Sequence, residues 1–181
     1  MRFATILILA LILSSPAYGQ KTCQSSKYKL LYDGVTFGMN VDKAQKLLES
    51  RLKSNALVIR NDHVIIANLY KPMNNIKRML FFSMNGSVTR ILFEYSDSFQ
   101  SSFGGSAELF IALYNKLKGS YGDKRNQEFN EKEDKAIFFW PNHNGATLQL
   151  MGDTSVKIRI DCDELEDEIK SRQTKNANFG F

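Results

Sequence analysis

The chain is poor in the residue types that most single-site chemistry depends on. Of its 181 residues only two are cysteines and two are histidines. Cys23 and Cys162 lie at opposite ends, neither in a CxxC motif nor beside a histidine, which argues against a catalytic thiol. His63 and His143 each fall in polar, turn-like sequence without an HxxxH or accompanying carboxylates, so the spacing of a zinc site is missing. There is no GxSxG nucleophile elbow and no glycine-rich loop followed by Gly-Lys-Ser/Thr. Acidic clusters occur at Glu131, Glu133 and Asp134 and at Glu164, Glu166, Asp167 and Glu168. General acid–base work needs a carboxylate kept partly buried, and these stretches are charged enough to be solvated. The second cluster also lacks the glycine and Asp/Asn spacing of a calcium loop. Neither a metal nor a cofactor is called for, and no catalytic residue can be named.

Long hydrophobic runs are also missing, with one instructive exception. Met1-Arg2 gives a positive start, residues 3–13 are almost unbroken apolar sequence, and Ala17-Tyr18-Gly19 places small residues before Gln20. That order is a secretory signal peptide over residues 1–19, cut near Gly19-Gln20. The run is well short of the ~20 residues that span a bilayer, and no later stretch approaches that length, so no transmembrane segment is expected. Export implies a periplasmic or secreted location. In an oxidising compartment a cysteine pair in a folded domain tends to join, so a Cys23–Cys162 disulfide is expected. The net charge of +5 is spread along the chain rather than blocked. It suits a solvated surface with a weak affinity for anionic surfaces, and export makes nucleic acid an improbable partner.

Residues 20–172 are of the size of one domain, followed by a loose tail at 173–181 (QTKNANFGF) without periodicity. Residues 28–32 (YKLLY) read as a strand. The segment VTFGMN then leads into a helix with Asn40 as its cap, on which Val41, Ala44, Leu47, Leu48 and Leu52 recur at helical spacing. Gly34 and Gly38 are isolated, so this is a strand-to-helix junction rather than a phosphate cradle. Strands are expected at 57–59 and 64–70, with a turn at 71–75. Two further strands at 76–84 and 87–95 flank Asn85-Gly86, the strongest short hairpin signal in the chain. Residues 96–105 (SDSFQSSFGG) read as a flexible connector. Ser106 is the expected cap of a second helix with Leu109, Phe110, Leu113, Tyr114 and Leu117 inward. After a charged stretch at 126–135, strands are expected at 136–140, 146–151 and 155–161, and then a short acidic-to-basic helix.

The order is α+β: an antiparallel sheet backed by two amphipathic helices. It hints at a duplicated helix-plus-four-strand unit. Two echoes point that way, LKSNA against LKGSY and FFSMNGSVT against FFWPNHNGATL, but they demand different offsets. The motif FGMNVDKAQKLL (residues 37–48), after a signal peptide, resembles the small exported bacterial domains that include the outer-membrane assembly lipoprotein BamE. The doubled layout is similar to the tandem fold of beta-lactamase inhibitory protein. Those resemblances imply an envelope setting and a sheet face presented to a protein, and they carry over no functional residues.

Val156, Ile158 and Ile160 alternate with Lys157, Arg159 and Asp161, as in a strand with one wet face. Residues 79–82 and 137–140 are apolar on both faces. Two helices cover one face of a sheet, so the other needs a loop or terminal helix, a protein partner, or an apolar ligand. The leading expectation is a non-catalytic binding module of the bacterial envelope with a protein partner on its open sheet face. Trp140 is the chosen anchor, with Phe82, Arg90 and Arg159 beside it. The alternatives are a periplasmic hydrolase whose site the sequence hides, and a carrier of a lipid or other apolar ligand.

Overall fold

Asn40 starts the first helix as its sequence requires. Its side-chain oxygen accepts from the backbone N–H groups of Asp42 (2.9 Å) and Lys43 (3.3 Å), and α1 runs Val41–Leu52. The neighbouring N–H groups are also taken. Gly38 donates to the Val88 carbonyl (2.8 Å), Met39 to Thr36 (3.1 Å) and Val41 to Gly86 (2.8 Å). The glycine-bearing approach to α1 is therefore docked onto a hairpin, with no donors left converging on an anion. These details come from a computed structural model that describes Cys23 and residues 34–122, 126–130, 135–143 and 146–178. The leader at 1–19, the strand expected at 28–32, the acidic cluster at 131–134 and the His143 side chain lie outside the described residues.

After α1 and a single 3-10 turn the chain makes a four-strand meander: β1 (Ala56–Asn61), β2 (Val64–Met73), β3 (Ile76–Met84) and β4 (Ser87–Tyr95). A short helix, α2 (Asp97–Ser102), and a longer one, α3 (Ser106–Tyr121), follow. A second meander is built from β5 (Asn126–Asn130), β6 (Lys135–His143), β7 (Ala146–Gly152) and β8 (Val156–Asp161), and α4 (Asp163–Asn178) closes the described chain. All eight strands form one antiparallel sheet in the order β1-β2-β3-β4-β8-β7-β6-β5. The fold is thus α+β, as the element order implies.

The sheet order is symmetric about the β4/β8 seam. The registers align Met79 and Phe81 on β3 with Leu148 and Leu150 on β7, and Ile91 and Phe93 on β4 with Ile158 and Ile160 on β8. All eight are buried on the helix side, so they form the centre of the core. Small and large residues complement each other across the halves: Ala67 on β2 stands where β6 has Trp140. α1 packs on β1, β2 and β4, and α3 on β7 and β8. Leu48 and Leu109, both fully buried, anchor these helices, each worth about 2 kcal/mol by area removed from water. Gly152 lets α3 approach closely, because a Cβ there would meet the Phe110 ring at 2.8 Å.

Local chemistry explains the turns. Asn85 (φ 48°) and Gly86 (φ 72°) form the β3–β4 hairpin, and Asn74 (φ 50°) and Asn75 (φ 67°) form the one before it. The turn expected over 71–75 is thereby narrowed to two residues, since β2 continues to Met73. Pro72 and Pro141 fall inside β2 and β6, where the registers break between Asn68 and Met73 and between Trp140 and His143.

Several expectations need correction. The connector at 96–105 contains α2, because the Ser96 hydroxyl accepts from the Phe99 N–H (3.3 Å) and the buried Gln100 side chain accepts from the Val156 N–H (3.1 Å). Ser106 is the first helical residue of α3, and Gly105 is its cap. The charged stretch from 126 holds an edge strand, β5. The tail expected to be loose from 173 continues α4 through Asn178. The FFSMNG and FFWPNHNG segments sit in the β3–β4 and β6–β7 hairpins, which are not equivalent in the repeated order. That echo is coincidental, whereas LKSNA and LKGSY do both lie where a helix ends and a meander begins.

Candidate binding face

Strand alternation sends Leu57 and Ile59 (β1), Ile66 (β2), Arg78, Leu80 and Phe82 (β3) and Arg90, Leu92 and Glu94 (β4) away from the core. Across the seam it sends Lys157, Arg159 and Asp161 (β8), Gln149 (β7) and Phe139 (β6) the same way. The result is an aliphatic and aromatic field on the β1–β4 half that meets a polar strip along the seam.

Two carboxylates organise that strip. Glu94 and Asp161, respectively 4% and 3% exposed, occupy equivalent places on β4 and β8. Asp161 is held by Arg90 across the seam, by the Arg159 guanidinium (2.8 Å) and by the Gln149 amide (3.0 Å). Glu94 accepts from Arg78 Nε (2.7 Å) and from the Ser155 hydroxyl (2.9 Å), with Lys77 Nζ 3.6 Å away. Burial alone would raise the pKa of Glu94. The Ser155 hydrogen bond and the Arg78 and Lys77 charges outweigh it and leave the group below the ordinary carboxylate value. The carboxylates are sunk into the sheet while the side chains of Arg78 (43% exposed), Arg90 (28%) and Arg159 (28%) retain access to water. What the strip shows to solvent is therefore guanidinium edges.

Arg90 and Phe82 come together as chosen from sequence, the guanidinium carbon lying 5.6 Å from the ring centroid, and Arg159 joins them through Asp161. Trp140 does not. It is fully buried on the helix side, its indole N–H donating to the Gly122 carbonyl (3.0 Å) and its ring 6.3 Å from that of Tyr114. The reason is parity: Phe138 and Trp140 share the face that α3 covers, so Trp140 is core and not an exposed anchor. Leu57, Ile59, Ile66, Leu80 and Leu92 were missed as members of the face. Glu94 and Asp161 were missed too, although each is the lone acid of its strand end, ILFEY and IRID.

The terminal helix caps one end of this face. Glu166 accepts from Arg90 (3.3 Å), Asp163 accepts from the Thr147 hydroxyl, and Gln173 donates to the Asn85 side chain (2.9 Å). Residues 96–102 lie instead on the core side, with Phe99 against Tyr95. Cys23 and Cys162 are joined in a buried disulfide at the root of α4. His63 sits in the β1–β2 turn. Among the described residues no group of three or more His, Cys, Asp or Glu side chains is placed to hold a metal ion, and no helix is long and apolar enough to cross a membrane. Comparison with protein families, curated proteins and solved structures finds no match to this chain.

Proposed function

We propose that this chain is an exported, non-catalytic module that binds a protein partner in the bacterial envelope through the open face of its sheet. The observation that carries the reading is the make-up of that face. An apolar field (Ile66, Leu80, Phe82, Leu92) borders arginines whose neutralising carboxylates are buried beneath them. Such arginines are already ordered, so a partner carboxylate gains a charge-assisted bond with little loss of side-chain freedom. Apolar area with arginine beside it is also the make-up that protein interfaces favour. The disulfide supports an oxidising, extracytoplasmic setting. The partner that fits is a protein surface with an acidic group amid apolar contacts.

The test is crosslinking capture from an envelope extract with wild type, Leu92→Arg and Arg159→Glu, each first shown by circular dichroism to be folded. A protein captured by wild type is then purified and its binding measured directly by calorimetry. Loss of binding in both folded variants supports the open face. Equal binding by all three overturns it.

A further inference from the structure

The two edges of the sheet are unlike. β5, at one edge, reads NQEFN, polar at four of five positions. β1, at the other, begins Ala-Leu-Val-Ile, with Leu57 47% and Ile59 46% exposed, and no strand among the described residues pairs with its outer side. Natural sheets blunt an edge with proline, an outward charge or a bulge. β1 has no proline, and its registers with β2 run without a break. Its one charge, Arg60, is drawn back to α1 by Asp42 and by Gln45 (3.5 Å). Tyr70 and Met73 on the adjacent strand are exposed as well, so among the described residues four of the six exposed large apolar side chains lie on β1 and β2.

The backbone specifies what fits there. The two-residue turn Asp62-His63 makes Asn61 and Val64 a hydrogen-bonded pair. Alternation from that pair turns the N–H and C=O groups of Ala56, Val58 and Arg60 outward. A second β1 laid antiparallel with Val58 opposite its own copy uses all three residues on each chain, for about six backbone hydrogen bonds. In that register Leu57 faces Ile59 of the second copy on the open side, twice by symmetry, and Arg60 faces Ala56, so no like charges oppose. The helices of both copies then lie on the same side of one continuous sheet. Shifting the register by one residue along either chain would put helix-side residues opposite open-side ones.

We infer that the β1 edge is a self-association surface, at which two copies of this chain join antiparallel β1 strands about a two-fold axis through Val58. The surface borders the open face through Leu57 and Ile59 but does not use the arginine strip at the seam.

Sedimentation velocity on the purified, disulfide-formed protein from about 5 to 500 µM is the test, since association driven by mass action must grow with concentration. Wild type is expected to shift from the mass of one chain toward that of two. Val58→Pro removes an N–H that points outward, not one that bonds β2, so the fold should survive while association weakens at least about tenfold. Ile59→Lys, which places a charge on the exposed strand, should do the same. A wild type that stays monomeric across the range overturns the inference. So does undiminished dimerisation of either variant when its circular dichroism matches wild type. If Val58→Pro unfolds, Ile59→Lys alone decides.

Discussion

Arg90 on β4 and Asp161 on β8 stand directly opposite each other across the seam where the two meanders meet, and their side chains form an ion pair. Four residues along, Glu94 stands opposite Lys157, so the same seam reads basic-to-acidic in one direction and acidic-to-basic in the other. The two acids are buried: Glu94 gathers Arg78 and Lys77 from its own half, whereas Asp161 gathers Arg90 from across the seam and Arg159 from its own strand. A polar cluster thus sits at the seam where β4 pairs with β8 and the halves join.

Truncating one side of the pair should be more costly than truncating the other. Asp161→Ala leaves Arg90 and Arg159 facing each other without their shared carboxylate, at a cost of about 2–3 kcal/mol. The figure belongs at the low end for a buried pair, because both guanidiniums keep contact with water. Arg90→Met leaves Asp161 with Arg159 and Gln149, and should cost about 1 kcal/mol. Urea denaturation of the two variants and of the double variant checks both the order and the coupling. Equal losses for the two single variants would contradict the geometry.

Acid should destabilise the protein partly through Glu94. Its carboxyl is held below the ordinary 4.5 in the folded state, so unfolding at low pH is accompanied by proton uptake. The sign follows: the contribution is complete above about pH 4.5 and is lost as pH falls through the depressed folded value. Asp153 is lowered too, from the ordinary 3.8: burial raises it, but the Ser155 N–H and Lys157 outweigh that, so it acts in the same direction at lower pH. Glu94→Gln should be less stable than wild type at neutral pH and lose less on acidification. Parallel pH–stability curves for wild type and variant, measured by urea midpoint between about pH 3 and 7, would count against this account.

Trp140 can be read without competition, because it is the only tryptophan. Buried against Tyr114 and bonded to Gly122, it should emit at short wavelength in the native state and shift to longer wavelength on unfolding. Trp140→Ala should cost about 3–5 kcal/mol, as expected for an emptied aromatic site in a packed core. Trp140→Phe keeps most of the contact and loses the indole donor to Gly122, at about 1 kcal/mol. Native emission typical of a solvated indole would refute the burial.

Where local chemistry decides the conformation, the chain could be read directly. Asn85-Gly86 needs positive φ at both residues and forms the hairpin; Asn40 caps α1; Val156, Ile158 and Ile160 alternate inward. Where tertiary contacts decide it, composition misled. SDSFQSS looks like a linker, yet Gln100 bonds the β8 backbone and holds a helix there. NQEFN looks like part of a charged loop and becomes an edge strand through its partner β6. For the candidate face, the alternation of polar and apolar residues on β8 correctly placed Arg159, and on β4 Arg90. Residues 137–140 are apolar at every position, so nothing local told which side α3 would cover, and Trp140 was put on the wrong one.

The disulfide offers the last check, and it concerns how the terminal helix is held. Cys23 and Cys162 are separated by 139 residues and lie beside the first turn of α4, whose Glu166 N–H donates to the Cys162 carbonyl (3.1 Å). Closing so long a loop restricts the unfolded chain, worth about 5 kcal/mol as an upper figure. α4 is held by Leu165 and Ile169 packed inward and by bonds to Arg90, Thr147 and Asn85, and the bridge sits at its root, so loss of the bridge should loosen this helix before the meanders. A Cys23→Ala, Cys162→Ala variant should therefore show a lower melting temperature, and amide exchange should rise first in α4 while the β4 and β8 strands stay protected. Exchange that rises equally in α4 and in the seam strands would mean that the bridge supports the whole domain. An unchanged melting temperature would mean that it supports neither.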